Sequence, residues 1–173
     1  MKRVIVIGNS GAGKSTFARR LRDLTGLPLH YLDRIWHRPD KTTITQEEFD
    51  ARLKAILQEE QWIIDGGYTR TLELRLAACD TVIFLDYPLE TCLAGVEARR
   101  NTVREDMPWI ETEADPEFLA WIRDFPQQKL PKIEALLARY REGRRIIRLR
   151  SREEGDKFLS ALQQSEGNLT LIG

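Results

Sequence analysis

The chain has 173 residues, enough for one domain with one sizeable core. Its 27 Lys and Arg balance 27 Asp and Glu, so the formal net charge is zero and no global pull onto nucleic acid or an anionic membrane is expected. No apolar run approaches bilayer-spanning length and the N-terminus carries no signal-peptide pattern, which predicts a cytoplasmic protein whose anion binding is local.

Arg3 to Ile7 is a short run of β-branched residues, the pattern of a strand buried on both faces of a parallel sheet. Directly after it, "GNSGAGKS" from Gly8 to Ser15 fits glycine, four residues, Gly-Lys-Ser. The glycines let the chain curl so that backbone N–H groups point inward, and the helix beginning near Lys14 aims its free donors and positive dipole end at the same point. Two phosphates of a nucleoside triphosphate fit such a cradle. The predicted contacts are Gly8, Ser10, Gly11, Ala12, Gly13, Lys14, Ser15 and Thr16, with Lys14 reaching the β and γ phosphates and the Ser15 hydroxyl on Mg²⁺. The bland alternative is a glycine-rich turn that binds nothing. Phe17, Ala18, Leu21 and Leu24 mark the apolar face of the helix that follows.

Leu29 to Leu32 reads as a second strand, closing on "LHYLDRIWH". There Asp33 and Trp36 can grip a ring and its hydroxyl groups, or Trp36 can simply cover the core; His37 reads as a surface histidine. Thr45 with Glu48 forms a capping box ahead of Phe49, Leu53, Ile56 and Leu57. Trp62 to Ile64 is a third strand, and "WIIDGGYTR" puts Asp65 at its carboxyl end, followed by Gly66 and then Arg70. Ligands of an open parallel sheet lie outside the carboxyl ends of its strands, so Asp65 can hold Mg²⁺ through water; as an Asp-Gly pair it can also merely form a turn.

Thr81 to Leu85 is a fourth strand, and Pro88 opens a helix carrying Leu89, Leu93 and Val96. Beyond it "EARRNTVREDMPWIETEADPEF" loses the helical period and is dense in charge. Arg99, Arg100 and Arg104 leave the helix there and are candidates for a lid that supplies positive charge only when closed, against the alternative of a solvated loop. Pro131 starts a helix with Ile133, Leu136, Leu137 and Tyr140 that Gly143 stops, Arg145 to Leu149 is the fifth strand, and Ser151 with Glu154 caps a last helix with Phe158, Leu159 and Leu162. Fraying is expected from about Ser165. Strands alternating with helices imply a five-stranded parallel sheet covered on both faces.

Twenty Arg against seven Lys suits phosphate handling or reflects composition alone. The cluster "RYREGRRIIRLRSR" is diluted by Glu142, Glu153 and Glu154 and reads as a solvated face, with Ser151 and Arg152 able to flank a nucleotide base. Cys79 and Cys92 lack metal-ligand spacing and are expected as buried free thiols. No guanine-reading Asn-Lys-x-Asp or ABC-type signature is present, and the chain is short for an AAA+ motor.

"GNSGAGKST", "LPLHYLDRIWH", "WIIDGGYTRTLELRLAACDTVIFLDYP", "REDM" and "RLRSREEGDKFL" together resemble the topology modulation proteins, adenylate-kinase-like P-loop proteins of bacteria, over about residues 1 to 160. The resemblance implies the three-layer nucleoside-monophosphate-kinase fold, five parallel strands in the order 2-3-1-4-5, an acceptor insertion at about 33–60 and a lid at about 99–125 within a single domain, 1–173. "DGGYTR" is also similar to the Asp-Gly-Phe-Pro-Arg stretch of adenylate kinases, which implies an Mg²⁺-side role for Asp65 and a phosphate contact for Arg70; Tyr68 and Thr69 and the segment after Asp106 depart from those patterns.

The function expected is ATP- and Mg²⁺-dependent phosphoryl transfer to a small acceptor, a nucleotide or nucleoside, with Lys14, Asp33, Asp65, Arg99 and Arg104 catalytic. Asp33, Trp36, Gly66 and Arg70 would bind the acceptor, Ser15 and Asp65 the metal, and Arg99 also the nucleotide. Asp33 is the base if the acceptor is a hydroxyl. The rival is an ATP-binding regulator with little kinase activity that modulates DNA topology directly or through a partner.

Overall fold

The computed structural model describes residues 1–113 and 115–170, the last five as backbone only. Among them, β1 (Arg3–Gly8), β2 (Leu29–Tyr31), β3 (Trp62–Asp65), β4 (Thr81–Leu85) and β5 (Arg145–Leu149) form one parallel sheet in the order β2-β3-β1-β4-β5. Successive strand residues face opposite sides. Ile5, Ile7, Ile64, Val82 and Phe84 therefore pack on one layer, and Val4, Val6, Ile63, Ile83 and Leu85 on the other. Each such side chain taken fully out of water contributes about 1.5–3 kcal/mol.

The first layer holds α3 (Gln46–Leu57), α4 (Leu72–Ala78) and α7 (Leu130–Arg139); the second holds α1 (Lys14–Thr25), α5 (Leu89–Arg99) and α8 (Arg152–Thr170). Helix α1, which follows β1, and helix α4, which follows β3, thus lie on opposite faces although β1 and β3 are neighbours. Their connections part at the carboxyl ends of these two strands and leave a crevice there, where the topology places a ligand. Helices α2 (Leu32–Trp36) and α6 (Pro116–Gln128) complete its walls.

Three boundaries differ from the sequence reading. Strand β2 stops at Tyr31, because Leu32 already begins α2, and Asp33 therefore sits on a helix. Helix α7 begins one residue before Pro131. The chain remains helical to Thr170, and residues 171–173, together with residue 114 in the expected lid, lie outside the described residues. Among the described residues no helix is long and apolar enough to cross a membrane. Both capping boxes supply the expected bond, Thr45 accepting from the Glu48 amide at 3.1 Å and Ser151 from the Glu154 amide at 3.2 Å.

The late arginine cluster is taken up by the fold. Arg144 donates to the carbonyls of Leu76 and Ala77 at the end of α4, Arg148 pairs with Asp86 and Glu134, and Arg139 pairs with Glu73. These contacts take up three of its arginines. Cys79 and Cys92 are buried free thiols.

Candidate active site

The loop from Gly8 to Lys14 is shaped by close approach. A Cβ on Gly11 would lie 2.0 Å from the Cys92 carbonyl oxygen, and one on Gly95 would lie 2.0 Å from the Gly11 oxygen, so the loop backbone rests directly on α5. Gly13 takes the left-handed conformation, φ 90°, at the cap of α1, and no side chain caps that helix. Its first amides therefore face the crevice with the dipole behind them. Ala12 is fully buried among second-layer residues; its backbone belongs to the loop, but its side chain does not reach the crevice.

Helix α6 ties to the same loop through a proline. Pro126 has no N–H for the Ile122 carbonyl one turn earlier, and the Asn9 amide donates to that oxygen instead, at 3.0 Å. Asn9 in turn accepts from the Ser10 amide at 2.8 Å, which fixes the loop's entry.

Lys14 donates its ammonium to the Asn9 carbonyl at 2.9 Å. Burial pushes its pKa down, and the nearby Asp65 and Asp33 carboxylates oppose that. Ser15 donates its hydroxyl to Asp65 Oδ2 at 2.8 Å. Asp65 ends β3 at only 4% exposure, and its Oδ1 is buried with no hydrogen-bond partner. Burial first, with Asp33 adding to it, raises its pKa to about 7 against the pull of Lys14. An orphaned carboxylate oxygen beside a serine hydroxyl is the donor set of a hard cation that takes its other ligands from phosphate and water. Among the described residues there is no cluster of three or more His, Cys, Asp or Glu that would form an all-protein cage instead.

Across the crevice, Asp33 on α2 accepts from the Tyr68 hydroxyl at 2.6 Å. Burial, with Asp33 next, raises the Tyr68 phenol well above its ordinary value, so it stays a donor. Tyr68 has φ 31°, a left-handed conformation that costs a bulky residue about 1 kcal/mol or more. Arg75 of α4 offsets that cost. It is fully buried and donates to the carbonyls of Gly66, Gly67 and Tyr68 at 3.0, 2.6 and 2.9 Å, and to the Thr71 hydroxyl at 3.3 Å. Burial lowers its pKa to about 10, still charged at neutral pH. Arg75→Leu is expected to cost about 3 kcal/mol or more in denaturant unfolding, because three turn carbonyls lose a charged donor.

Trp36 packs on the core and also borders the crevice. Its ring stands edge-on to Phe49, 5.7 Å away, and its free face lines the crevice. Phe49 continues to Tyr68 at 5.3 Å, giving an aromatic floor. Gly66 is buried with Leu32 against it, too close for a side chain. His37 is half-buried against Trp109, 5.1 Å away. Arg70 reaches the rim, but both of its terminal nitrogens are on Asp50, at 3.1 and 2.7 Å.

Arg99 and Arg104 line the same cavity as the loop. Arg104 pairs with Asp106 and Glu111, both at 3.4 Å, and Arg99 is 3.9 Å from Glu111. The Arg99 Nε and Arg104 Nη1, the atoms that face Glu111 at 3.9 and 3.4 Å, are buried and form no hydrogen bond. Asp106, 3% exposed, also faces Arg19 at 4.0 Å, while Glu105 is held by the Tyr31 hydroxyl and by Arg22 at 3.1 Å. Arg100 turns outward to Glu97 and takes no part.

One cavity of about 1440 Å³ joins the loop, Asp65, the acceptor wall and the lid. The expected loop, metal, acceptor and lid residues line it except Ala12 and Arg100, and Ser151 also lies outside it. Residues the sequence reading did not single out also line it, among them Arg19, Tyr68, Trp121 and Lys129. Arg152, expected beside a base, instead crosses behind the loop to the Gly11 and Ala12 carbonyls at 3.3 and 3.5 Å while still bordering the cavity.

No protein-family model matches the chain, and no curated protein matches it in sequence. Solved structures do match its shape. A shikimate kinase from Acinetobacter baumannii aligns with a TM-score of 0.59 at 20% identity, over 95% of this chain and 94% of that one. The chain has a P-loop kinase fold. A gluconokinase from Sinorhizobium meliloti 1021 gives 0.53 at 14% identity, over 99% and 97% of the two chains. A sugar kinase from a Janibacter species gives 0.52 at 22%, over 93% and 91%. The shared architecture is the five-stranded sheet in the order 2-3-1-4-5 with its flanking helices, as the sequence resemblance implied.

Proposed function

We propose that the protein transfers the γ-phosphoryl group of ATP to the hydroxyl of a small molecule held at Asp33. The observation that carries this is the placement of two opposed groups on one cavity: the Lys14–Ser15–Asp65 set at the loop and the Asp33–Tyr68 pair across from it. The solved structures of similar shape are a shikimate kinase, a gluconokinase and a sugar kinase, and the resemblance to adenylate-kinase-like P-loop proteins agrees.

The loop amides and Lys14 hold the β and γ phosphates. Asp33 takes the proton of the acceptor hydroxyl, and Tyr68 keeps that carboxylate oriented by occupying its other side. Arg99 and Arg104 neutralise charge on the equatorial oxygens as the lid settles. Mg²⁺ held at Ser15 and Asp65 would supply the remaining neutralisation of the phosphate oxygens. Acceptor-stimulated ADP release in a panel of small alcohols and nucleosides with ATP and Mg²⁺ tests the proposal. Slow hydrolysis indifferent to every acceptor would point instead to an ATP-binding regulator.

Asp65 supplies a pH test. A carboxylate whose pKa is raised to about 7 in the folded chain is mostly protonated below that value and ionised above it. Its metal-ligating form is therefore lost as pH falls. Mg²⁺-dependent ADP affinity should drop about tenfold from pH 8 to pH 6, after subtraction of the metal-free titration; a flat difference contradicts the assignment.

A further inference from the structure

Arg70 follows the strand-end turn at the mouth of the acceptor half, where a phosphate on the acceptor would need a cation. The structure cancels that cation. Asp50 on α3 receives both terminal nitrogens of Arg70, and these bonds hold the Asp50 carboxyl below its ordinary pKa. The other guanidiniums on the cavity serve the loop and lid: Arg99 and Arg104 face Glu111 and Asp106, Arg19 faces Asp106, and Arg152 lies behind the loop. Lys129 has no carboxylate partner among the described residues, yet its ammonium sits 5.7 Å over the Trp121 ring. Asp33 adds a carboxylate to the same cavity. An anionic acceptor would therefore enter a half-site whose uncancelled charges sum to little or nothing.

The same half-site is rich in flat apolar surface. Trp36 and Tyr68 flank Phe49, and Phe125 and Ile133 of the same apolar cluster also line the cavity. On the strength of the kinase reading above, we infer that the acceptor is an uncharged hydroxyl compound bearing a planar ring, of the nucleoside class and not its phosphate, and that Asp50 sets this preference by neutralising Arg70. In the reaction the acceptor oxygen bonds to the γ-phosphorus as the bond to the bridging oxygen breaks, ADP leaves, and the hydroxyl proton passes to the Asp33 carboxylate.

The full chain is assayed for ADP release at saturating ATP and Mg²⁺ with matched pairs: adenosine and AMP, cytidine and CMP, thymidine and TMP, plus gluconate as a sugar acid. At least one nucleoside should stimulate turnover about tenfold or more over the acceptor-free rate, and its monophosphate should show kcat/KM about tenfold lower or worse. Asp50→Ala, and Asp50→Asn as the size-conserving control, should close that gap by about tenfold in favour of the monophosphate without slowing the nucleoside. A parent enzyme that prefers a monophosphate or gluconate, or an unchanged gap in both Asp50 variants, overturns the inference and leaves the kinase standing. Stimulation by no member of the panel overturns the inference, and the kinase reading falls with it only if the small alcohols also give acceptor-independent hydrolysis.

Discussion

Replacing Asp33 by Asn is expected to lower the turnover of acceptor phosphorylation by about two to four orders of magnitude while ATP affinity changes by less than about threefold. The amide keeps the shape of the side chain and can still accept from Tyr68, so α2 and the turn after β3 stay in place. What it loses is the capacity to take a proton. Asp33 makes no hydrogen bond to the loop among the described residues, so the substitution removes no bond that holds the loop. Steady-state assays with acceptor, alongside calorimetric titration of ATP, separate the two quantities. Retained turnover would mean that no base is needed, as for a phosphate acceptor.

Arg104→Ala is expected to cost about a thousandfold in turnover, with a much smaller change in the KM for ATP. Its guanidinium faces two carboxylates, Asp106 and Glu111, at 3.4 Å, and the buried nitrogen that faces Glu111 forms no hydrogen bond there. A donor fixed in this way gains most when charge spreads onto the transferring group, which affects the transition state more than the bound ground state. Arg104→Lys should rescue only partly, since a point charge cannot reproduce the planar fork between two carboxylates. Equal losses of ATP affinity and turnover would assign Arg104 to nucleotide binding alone.

The sheet was readable because β1, β3 and β4 are buried on both faces, which leaves short apolar runs with few competing patterns. The phosphate loop was readable because its glycines and lysine answer to local backbone geometry. Three helices were not. Helix α2 has five residues, too few for a period, and its Leu32 extends the apolar run of β2. Helix α4 carries an arginine in its buried stripe, and only the turn carbonyls it reaches make that burial tolerable. Helix α6 contains Pro126, a signal that normally ends a helix, and the Asn9 amide that accepts the consequence lies 113 positions away in the sequence.

Residue types close after strands pointed to Asp33, Asp65 and Trp36, which line one cavity, but not to what each one touches. The pairing of Arg70 with Asp50 joins a turn to a helix 20 positions earlier, and nothing in the spacing announces it. Arg70 was expected as a phosphate contact on resemblance to "DGFPR"; its carboxylate partner makes the charge of the rim a property of two residues. Tyr68 stood out only as a departure from that pattern. Its strained backbone and its bond to Asp33 are visible only once the turn is folded.

The account depends on the first loop holding a triphosphate through inward amides and Lys14. Calorimetric titration of ATP with Mg²⁺ into the parent and into Lys14→Ala tests this most directly. Saturable binding by the parent is expected, weakened by about tenfold or more in the variant, since a buried charge-assisted contact is removed. Equal affinity in the two proteins, or no affinity in the parent, would contradict it.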